Sequence, residues 1–173
     1  MKNFLNWSQA FNVGIEEIDQ QHQNLADIVN GLYLQMKSHT ESDGVGFSFD
    51  KLDEYIRVHF STEEKWMVRY AYPDYLKHKK LHLDFAKKVL EFKDIYASSS
   101  EEKLVDLAGF LKNWFTEHVV FEDHKFGEYL KTHMRFNLVI GDNSGLTAAA
   151  PEILLKKSGF AGKLFQKIAR YKG

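Results

Sequence analysis

The fold can be worked out from one stretch, Tyr75-Leu76-Lys77-His78-Lys79-Lys80-Leu81-His82. Two of its residues, His78 and His82, are four positions apart. On an α-helix they lie about 40° from one another around the axis and can reach a single metal ion. Two surface histidines would have the same spacing. However, Phe85 and Val89 continue the same stripe, which indicates that it faces a core, where neutral imidazoles need polar partners.

Composition and charge limit the class of protein. The 173 residues are 44% hydrophobic, enough for one well-buried domain, and no apolar run approaches the roughly 20 residues of a membrane span. The absence of cysteine excludes disulfides, zinc ribbons, iron–sulfur clusters and thiol catalysis. The formal net charge of -1 argues against nucleic-acid binding, although residues 1–134 carry -6 and residues 135–173 carry +5. Since no signal peptide is recognisable, we expect a cytoplasmic protein.

Apolar residues recur at three- and four-residue spacing in four segments, which predicts four amphipathic helices. A polar loop, His39 to Gly46, separates the first two. The first helix is predicted over residues 15–37, the second from a cap at Ser48 or Asp50 to about Tyr70, and the third over residues 74–96 after Pro73. The fourth starts at a capping box, either Ser98 with Glu101 or Ser99 with Glu102. Its core stripe consists of Leu104, Leu107, Leu111, Trp114, His118 and Phe121.

Short connections make sequential helices antiparallel neighbours. The pattern therefore predicts an all-α fold, an antiparallel up-down-up-down four-helix bundle over residues 1–134 with an aromatic N-terminal arm. Residues 135–152, rich in Gly, Asn and Ala, predict a linker. Residues 153–173 predict a basic amphipathic helical extension. Such a helix can lie on an anionic membrane surface, contact a partner protein or pack on its own acidic bundle.

Each predicted helix places histidine where its heptad calls for an apolar residue. With a rise of about 1.5 Å per residue, these positions fall within a slab roughly 10 Å thick at one end of the bundle. The converging residues are His22, His59, Glu63, His78, His82 and His118. Structural histidines would each need a buried acceptor, and the stripes offer little besides Glu63. Asp123, five residues after His118, would lie about 140° from it on an ideal helix, so the helix must end, tighten or bulge there.

The types of ligand indicate which metals fit. Imidazole and carboxylate without thiolate suit iron, zinc, manganese or copper. Seven ligands exceed the four of a structural zinc site, which implies two ions. If both ions are six-coordinate, they offer about 12 positions. Five imidazoles, two bridging carboxylates and a bridging oxygen leave one of them open. A single open position in an apolar pocket suits a small ligand such as O2.

These residues resemble the bacterial hemerythrin family of non-heme di-iron oxygen-binding proteins. The resemblance covers about residues 7 to 130. The matching motifs are Val13-Gly14-Ile15 with Asp19-Gln20-Gln21-His22, His59-Phe60-Ser61-Thr62-Glu63-Glu64 with Met67, Tyr72-Pro73 with His78 and His82, and Trp114 and His118 with Asp123.

The resemblance implies that His78, His82 and His118 bind one iron ion. It implies that His22 and His59 bind a second iron ion, which has an open coordination position. The two iron ions are then bridged by Glu63, by Asp123 and by an oxo or hydroxo group. The implied function is reversible O2 binding for transport, storage or supply, with NO or azide as other ligands. The alternative is a sensor of O2, NO or redox state that signals through the C-terminal extension. We expect no enzyme activity, since no general acid or substrate cleft is apparent.

Apolar residues one turn from these ligands are candidates for the lining of the ligand pocket, although ordinary core packing accounts for each of them equally well. The proposed lining is Leu25, Ile56, Met67 and Phe115. The resemblance implies leucine at position 115. The larger ring of Phe115 is therefore expected to narrow the pocket.

Overall fold

A computed structural model describes residues 3–38, 43–98 and 102–140, and these ranges contain helices and no strand. The helices are α1 (Glu16–Ser38), α2 (Asp43–Arg69), α3 (Tyr75–Ser98), α4 (Glu102–Glu117) and α5 (His124–Ile140), with a π-helical turn (His118–Asp123) between α4 and α5. Contacts join α1 to α2, α2 to α3, α3 to α4 and α4 back to α1. The predicted four-helix bundle is confirmed. No helix within the described ranges combines the length and apolar character needed to cross a membrane.

The N-terminal arm runs back along α1 and is fixed to it by polar contacts. The backbone of Leu5 exchanges hydrogen bonds of 2.8 and 2.9 Å with the side chain of Asn30. The arm turns into α1 at Gly14, whose φ of +81° favours glycine. The carboxylate of Asp19 accepts hydrogen bonds from the backbone N–H groups of Val13 (2.6 Å) and Gly14 (3.1 Å), which stabilises this turn.

Two predicted boundaries differ from the structure. The second helix begins at Asp43, so it includes the end of the expected polar loop, and neither Ser48 nor Asp50 caps it. Ser48 is buried and donates to Gln35 Oε1 at 2.7 Å, a contact that ties α2 to α1. The predicted capping box lies mostly outside the described residues. In addition, α5 continues to Ile140, so the first six residues of the predicted linker are helical.

The buried apolar residues form two clusters with a polar layer between them. The larger cluster includes Leu25, Ile56 and Phe115. The smaller cluster consists of Val13, Ile18, Met67, Tyr72, Phe126 and Leu130. Helices α1, α2 and α3 each pass from one cluster to the other through their histidine or carboxylate positions, as α2 does between Ile56 and Met67. On the fourth side, α4 packs in the larger cluster and α5 in the smaller one, and the π-helical turn joins them. The bundle therefore holds a closed polar layer in its interior.

The close approach of α5 to the N-terminal arm gives a test of the packing. A Cβ at Gly127 would meet the carbonyl oxygen of Val13 at 2.8 Å and its Cβ at 2.9 Å. We expect Gly127→Ala to lower the free energy of unfolding by about 1–3 kcal/mol, as overpacking does. The control is Gly109→Ala in α4, where nothing lies within 4 Å. The free energy of unfolding of that variant should rise by about 0.5–1 kcal/mol. Urea unfolding of both variants measures the difference, and equal stabilities would contradict the packing described.

Candidate metal centre

The polar layer contains all seven residues that the sequence singled out. Each is at most 4% exposed, and they come from all four helical segments of the bundle. They are His22 from α1, His59 and Glu63 from α2, His78 and His82 from α3, and His118 and Asp123 from the π-helical turn. The layer therefore depends on the whole bundle, because no single helix supplies more than two of its side chains.

These side chains form two groups that share two members. In each group the potential ligand atoms lie within 4.8 Å of one another. The groups are Glu63, His78, His82, His118 and Asp123, and His22, His59, Glu63 and Asp123. One group thus has three imidazoles, the other has two, and both contain the same pair of carboxylates.

In the three-imidazole group, nitrogens converge on carboxylate oxygens. Oε2 of Glu63 lies 3.1 Å from His82 Nε2 and 3.2 Å from His78 Nε2. Oδ1 of Asp123 lies 3.1 Å from His118 Nε2 and 3.2 Å from His78 Nε2. The Nε2 atoms of His82 and His118 are themselves only 3.2 Å apart. Two facing imidazole nitrogens need a proton or a cation between them, so this arrangement fits a metal ion.

In the two-imidazole group, the outer nitrogens already have acceptors. His22 Nδ1 donates to the carbonyl of Phe11 at 3.3 Å, and His59 Nδ1 donates to Gln21 Oε1 at 2.9 Å. Each Nε2 then carries a lone pair directed into the layer. His22 Nε2 faces Asp123 Oδ2 at 3.1 Å, and His59 Nε2 has no hydrogen-bond partner. A proton or a metal cation between these atoms would satisfy them, so this group also fits a metal ion.

The pKa shifts have the same physical origin. Burial raises the pKa of both carboxyl groups, but the facing imidazoles outweigh it and hold the pKa of Glu63 and of Asp123 below the ordinary range. Burial lowers the pKa of His78, but the two carboxylates outweigh it and raise the value to about 10. For His59, burial prevails and lowers the pKa to about 3. The layer thus keeps two anionic carboxylates in its interior, where they attract a cation.

The π-helical turn explains how Asp123 reaches the layer. The N–H of His124 donates to the carbonyl of Val119, five residues back, as in a π-helix. The wider turn brings the carboxylate of Asp123 within 3.1 Å of His118 Nε2. It also rotates Phe121 outward, where its side chain is 67% exposed. Of the three alternatives expected there, a helix end, a tighter turn or a bulge, the structure has the bulge. The expectation that Phe121 lies on the core stripe is wrong.

The proposed pocket residues occupy two different places. Leu25, Ile56 and Phe115 are buried in the larger cluster, whereas Met67 belongs to the smaller one. The ring centroid of Phe115 lies 6.2 Å from that of His22 and 4.9 Å from that of Phe11. The ring of Phe115 therefore lies beside the two-imidazole group.

Sequence reasoning missed the residues that contact the outer nitrogens of the ligands. Gln21 accepts from His59, and its amide donates to Thr62 Oγ1 at 3.4 Å. Glu64 lies 3.5 Å from His82 Nδ1 and pairs with Lys79 at 2.5 Å. The polar residues beside His22 and Glu63 were visible in the sequence. Their roles depend on partners in other helices, which spacing along one helix does not reveal.

Comparisons with known proteins agree with this geometry. Residues 13–130 match the family described as "Hemerythrin HHE cation binding domain". The bacteriohemerythrin of Stenotrophomonas maltophilia is 30% identical over 128 residues, which cover 74% of this chain and 82% of that protein. The myohemerythrin of Theromyzon tessulatum is 31% identical over 120 residues, 69% of this chain and 88% of that protein. A solved leucine-to-tyrosine mutant of hemerythrin has a TM-score of 0.67 and 26% identity, covering 75% of this chain and 98% of that one.

Proposed function

This chain belongs to the hemerythrin family, and from that premise we propose that its polar layer holds two iron ions and binds O2 reversibly. In this proposal an oxo or hydroxo group bridges the irons, together with the carboxylates of Glu63 and Asp123. The protein would then carry, store or supply oxygen. Reversible binding of O2 needs a buried metal site with one free coordination position, and the unequal numbers of imidazoles in the two groups support such a site.

The unequal sharing of imidazoles supports the proposal most directly. An iron held by His78, His82 and His118, two carboxylate oxygens and a bridging oxygen would have six ligands, the full number for an octahedral ion. An iron held by His22, His59 and the same shared groups would have five. One position is then left for a diatomic ligand, on one ion only.

The chain's own residues favour retention of a ligand over its further reaction. Bound ferrous ions would supply electrons that a diatomic ligand can take up and return. The five imidazoles are neutral when they act as ligands. They therefore put less negative charge on the ions than the Glu and Glu-x-x-His shells of ferritin-like proteins, and this sequence contains no Glu-x-x-His. The buried rings of Phe11 and Phe115 beside His22 exclude water from that side of the layer.

Visible absorption during a gas cycle tests the proposed function. The iron-loaded full chain is reduced without oxygen, exposed to air and then returned to nitrogen. Reversible carriage predicts a band that appears in air and disappears under nitrogen over repeated cycles. A band that forms once and persists would contradict carriage and would favour the alternative of a redox or gas sensor.

The ring of Phe115 gives a further prediction. It is fully buried beside His22, so it occupies space that a ligand would need to approach the two-imidazole ion. We expect Phe115→Leu to accelerate the binding of O2 to the reduced protein and of azide to the oxidised protein. Stopped-flow absorption measures both rates. The control is Phe121→Leu at the exposed position, which should leave both rates unchanged. Unchanged rates in Phe115→Leu would show that the ring does not limit access.

A further inference from the structure

We infer that Gln21 and Glu64 make the two iron positions electronically unequal by acting on the outer nitrogens of His59 and His82. The inference rests on the proposed function and adds two positioning residues outside the set of metal ligands. Gln21 is a neutral amide, whereas Glu64 is a carboxylate. Each lies beside the Nδ1 of a ligand whose Nε2 points into the layer, Gln21 as a hydrogen-bond acceptor at 2.9 Å and Glu64 as a negative charge at 3.5 Å.

On the two-imidazole side, the acceptor is held in a defined orientation. The oxygen of the Gln21 amide accepts from His59 Nδ1 at 2.9 Å, and its nitrogen donates to Thr62 Oγ1 at 3.4 Å. The hydroxyl of Thr62 thus orients the amide oxygen toward the imidazole. The proton of His59 stays on Nδ1, and the acceptor that supports it carries no net charge.

On the three-imidazole side, the outer partner is a carboxylate. Oε1 of Glu64 lies 3.5 Å from His82 Nδ1, which makes no hydrogen bond, so Glu64 acts on this ring through its charge. The ammonium group of Lys79 forms a close ion pair with Glu64, which keeps the carboxylate ionised. Lys79, 2.5 Å away, also contacts the hydroxyl of Tyr75 at 3.1 Å, which holds the pair in place.

A carboxylate behind a metal-bound imidazole makes that imidazole a stronger electron donor than a neutral partner does. A stronger donor stabilises ferric iron more than ferrous iron. His82 therefore lowers the reduction potential of the three-imidazole ion, while the neutral Gln21 leaves the potential of the two-imidazole ion higher. With iron bound, the position held by His78, His82 and His118 would therefore be the easier of the two to oxidise.

Exchange of the two outer partners tests this inference. The isosteric variants Gln21→Glu and Glu64→Gln are prepared in the full, iron-loaded chain. A potentiometric titration then follows the two one-electron steps, with the mixed-valent state detected by electron paramagnetic resonance. Glu64→Gln should raise the lower midpoint, and Gln21→Glu should lower the upper one. Loss of the outer partner of a metal-binding histidine changes the affinity for the metal about 10- to 100-fold. If the affinity changes tenfold for only one oxidation state of the iron, the midpoint potential of a one-electron step moves by about 59 mV.

The introduced carboxylate of Gln21→Glu has access to water. Gln21 and His59 line a cavity of about 140 Å³ beside α2, so ionisation at position 21 does not require full burial of the charge. The matched control is Gln20→Glu, which adds the same charge one residue away on an exposed position. A similar shift in Gln20→Glu would assign the effect to net charge and overturn the inference.

Two further outcomes separate this inference from the proposed function. If the protein binds iron and O2 reversibly but both midpoints stay fixed in the two variants, only the inference fails. Movement of both midpoints in the same direction would also overturn it. Loss of helicity by circular dichroism would identify a folding defect. In that case, Thr62→Val replaces the variants Gln21→Glu and Glu64→Gln, because it removes only the hydrogen bond that supports Gln21. Titration with Co²⁺ then compares metal binding by this variant and by the wild type, both prepared without metal. The inference then requires weaker binding of one Co²⁺ ion only.

Discussion

Replacement of Glu63 by alanine is expected to remove both of the proposed iron ions rather than one. Glu63 belongs to both groups of ligands, and its Oε2 lies 3.1 Å from His82 Nε2 and 3.7 Å from His59 Nε2. Loss of an outer partner alone weakens metal binding about 10- to 100-fold, so loss of a shared ligand should weaken it further at both positions. Elemental analysis of the desalted protein should show iron content close to zero.

The control for this variant is Glu54→Ala, which removes an exposed carboxylate from the same helix. Its iron content should equal that of the wild type. Circular dichroism of both variants checks that the bundle still forms. If Glu63→Ala keeps one tightly bound iron per chain, the carboxylate does not bridge two ions. If it keeps both, Glu63 is not a ligand.

Removal of the metal is expected to lower the free energy of unfolding more than Gly127→Ala does. Without a cation, the layer buries two carboxylates and five imidazoles whose atoms include unpaired acceptors, His59 Nε2 and Glu63 Oε1 among them. Because the ligands are brought together only in the folded bundle, the free energy of metal binding adds to the free energy of unfolding. For each bound ion, a tenfold rise in free metal should add about 1.4 kcal/mol.

The slope of this dependence counts the ions. Urea unfolding in a series of buffered Co²⁺ concentrations, which avoids oxidation during the measurement, gives the free energy of unfolding at each concentration. Two ions per chain predict a slope of twice the single-ion value once both positions are filled. A slope equal to the single-ion value would contradict the two-ion proposal. If the free energy of unfolding does not depend on Co²⁺ at all, the layer does not bind metal.

The part of the site that lies on regular helices could be predicted from the sequence. His78 and His82 share a face because four residues make slightly more than one turn, and the same reasoning places His59 beside Glu63. The common depth of the ligands follows from the rise per residue and the antiparallel order of the helices. These arguments are geometric, so they hold wherever the backbone is an undistorted α-helix.

Other features could not be predicted, because they depend on tertiary contacts. Asp123 required a departure from the α-helix, and residues 119–122 carry no local signal that a π-helical turn replaces a simple helix end. The early start of α2 at Asp43 was missed because Gly44 and Gly46 favour a loop by intrinsic propensity. Packing against α1, to which Ser48 contributes a hydrogen bond, overrides that preference.

The wide turn between α4 and α5 also constrains the number of residues in the chain. Omission of any one residue between 119 and 122 would restore the narrower winding, and every later side chain would then be rotated by about 100°. Phe126 and Leu130 would leave the smaller cluster at the same time as Asp123 left its imidazole partners. This segment should therefore accept exchanges of side chain at Phe121, which faces solvent, far more readily than any deletion.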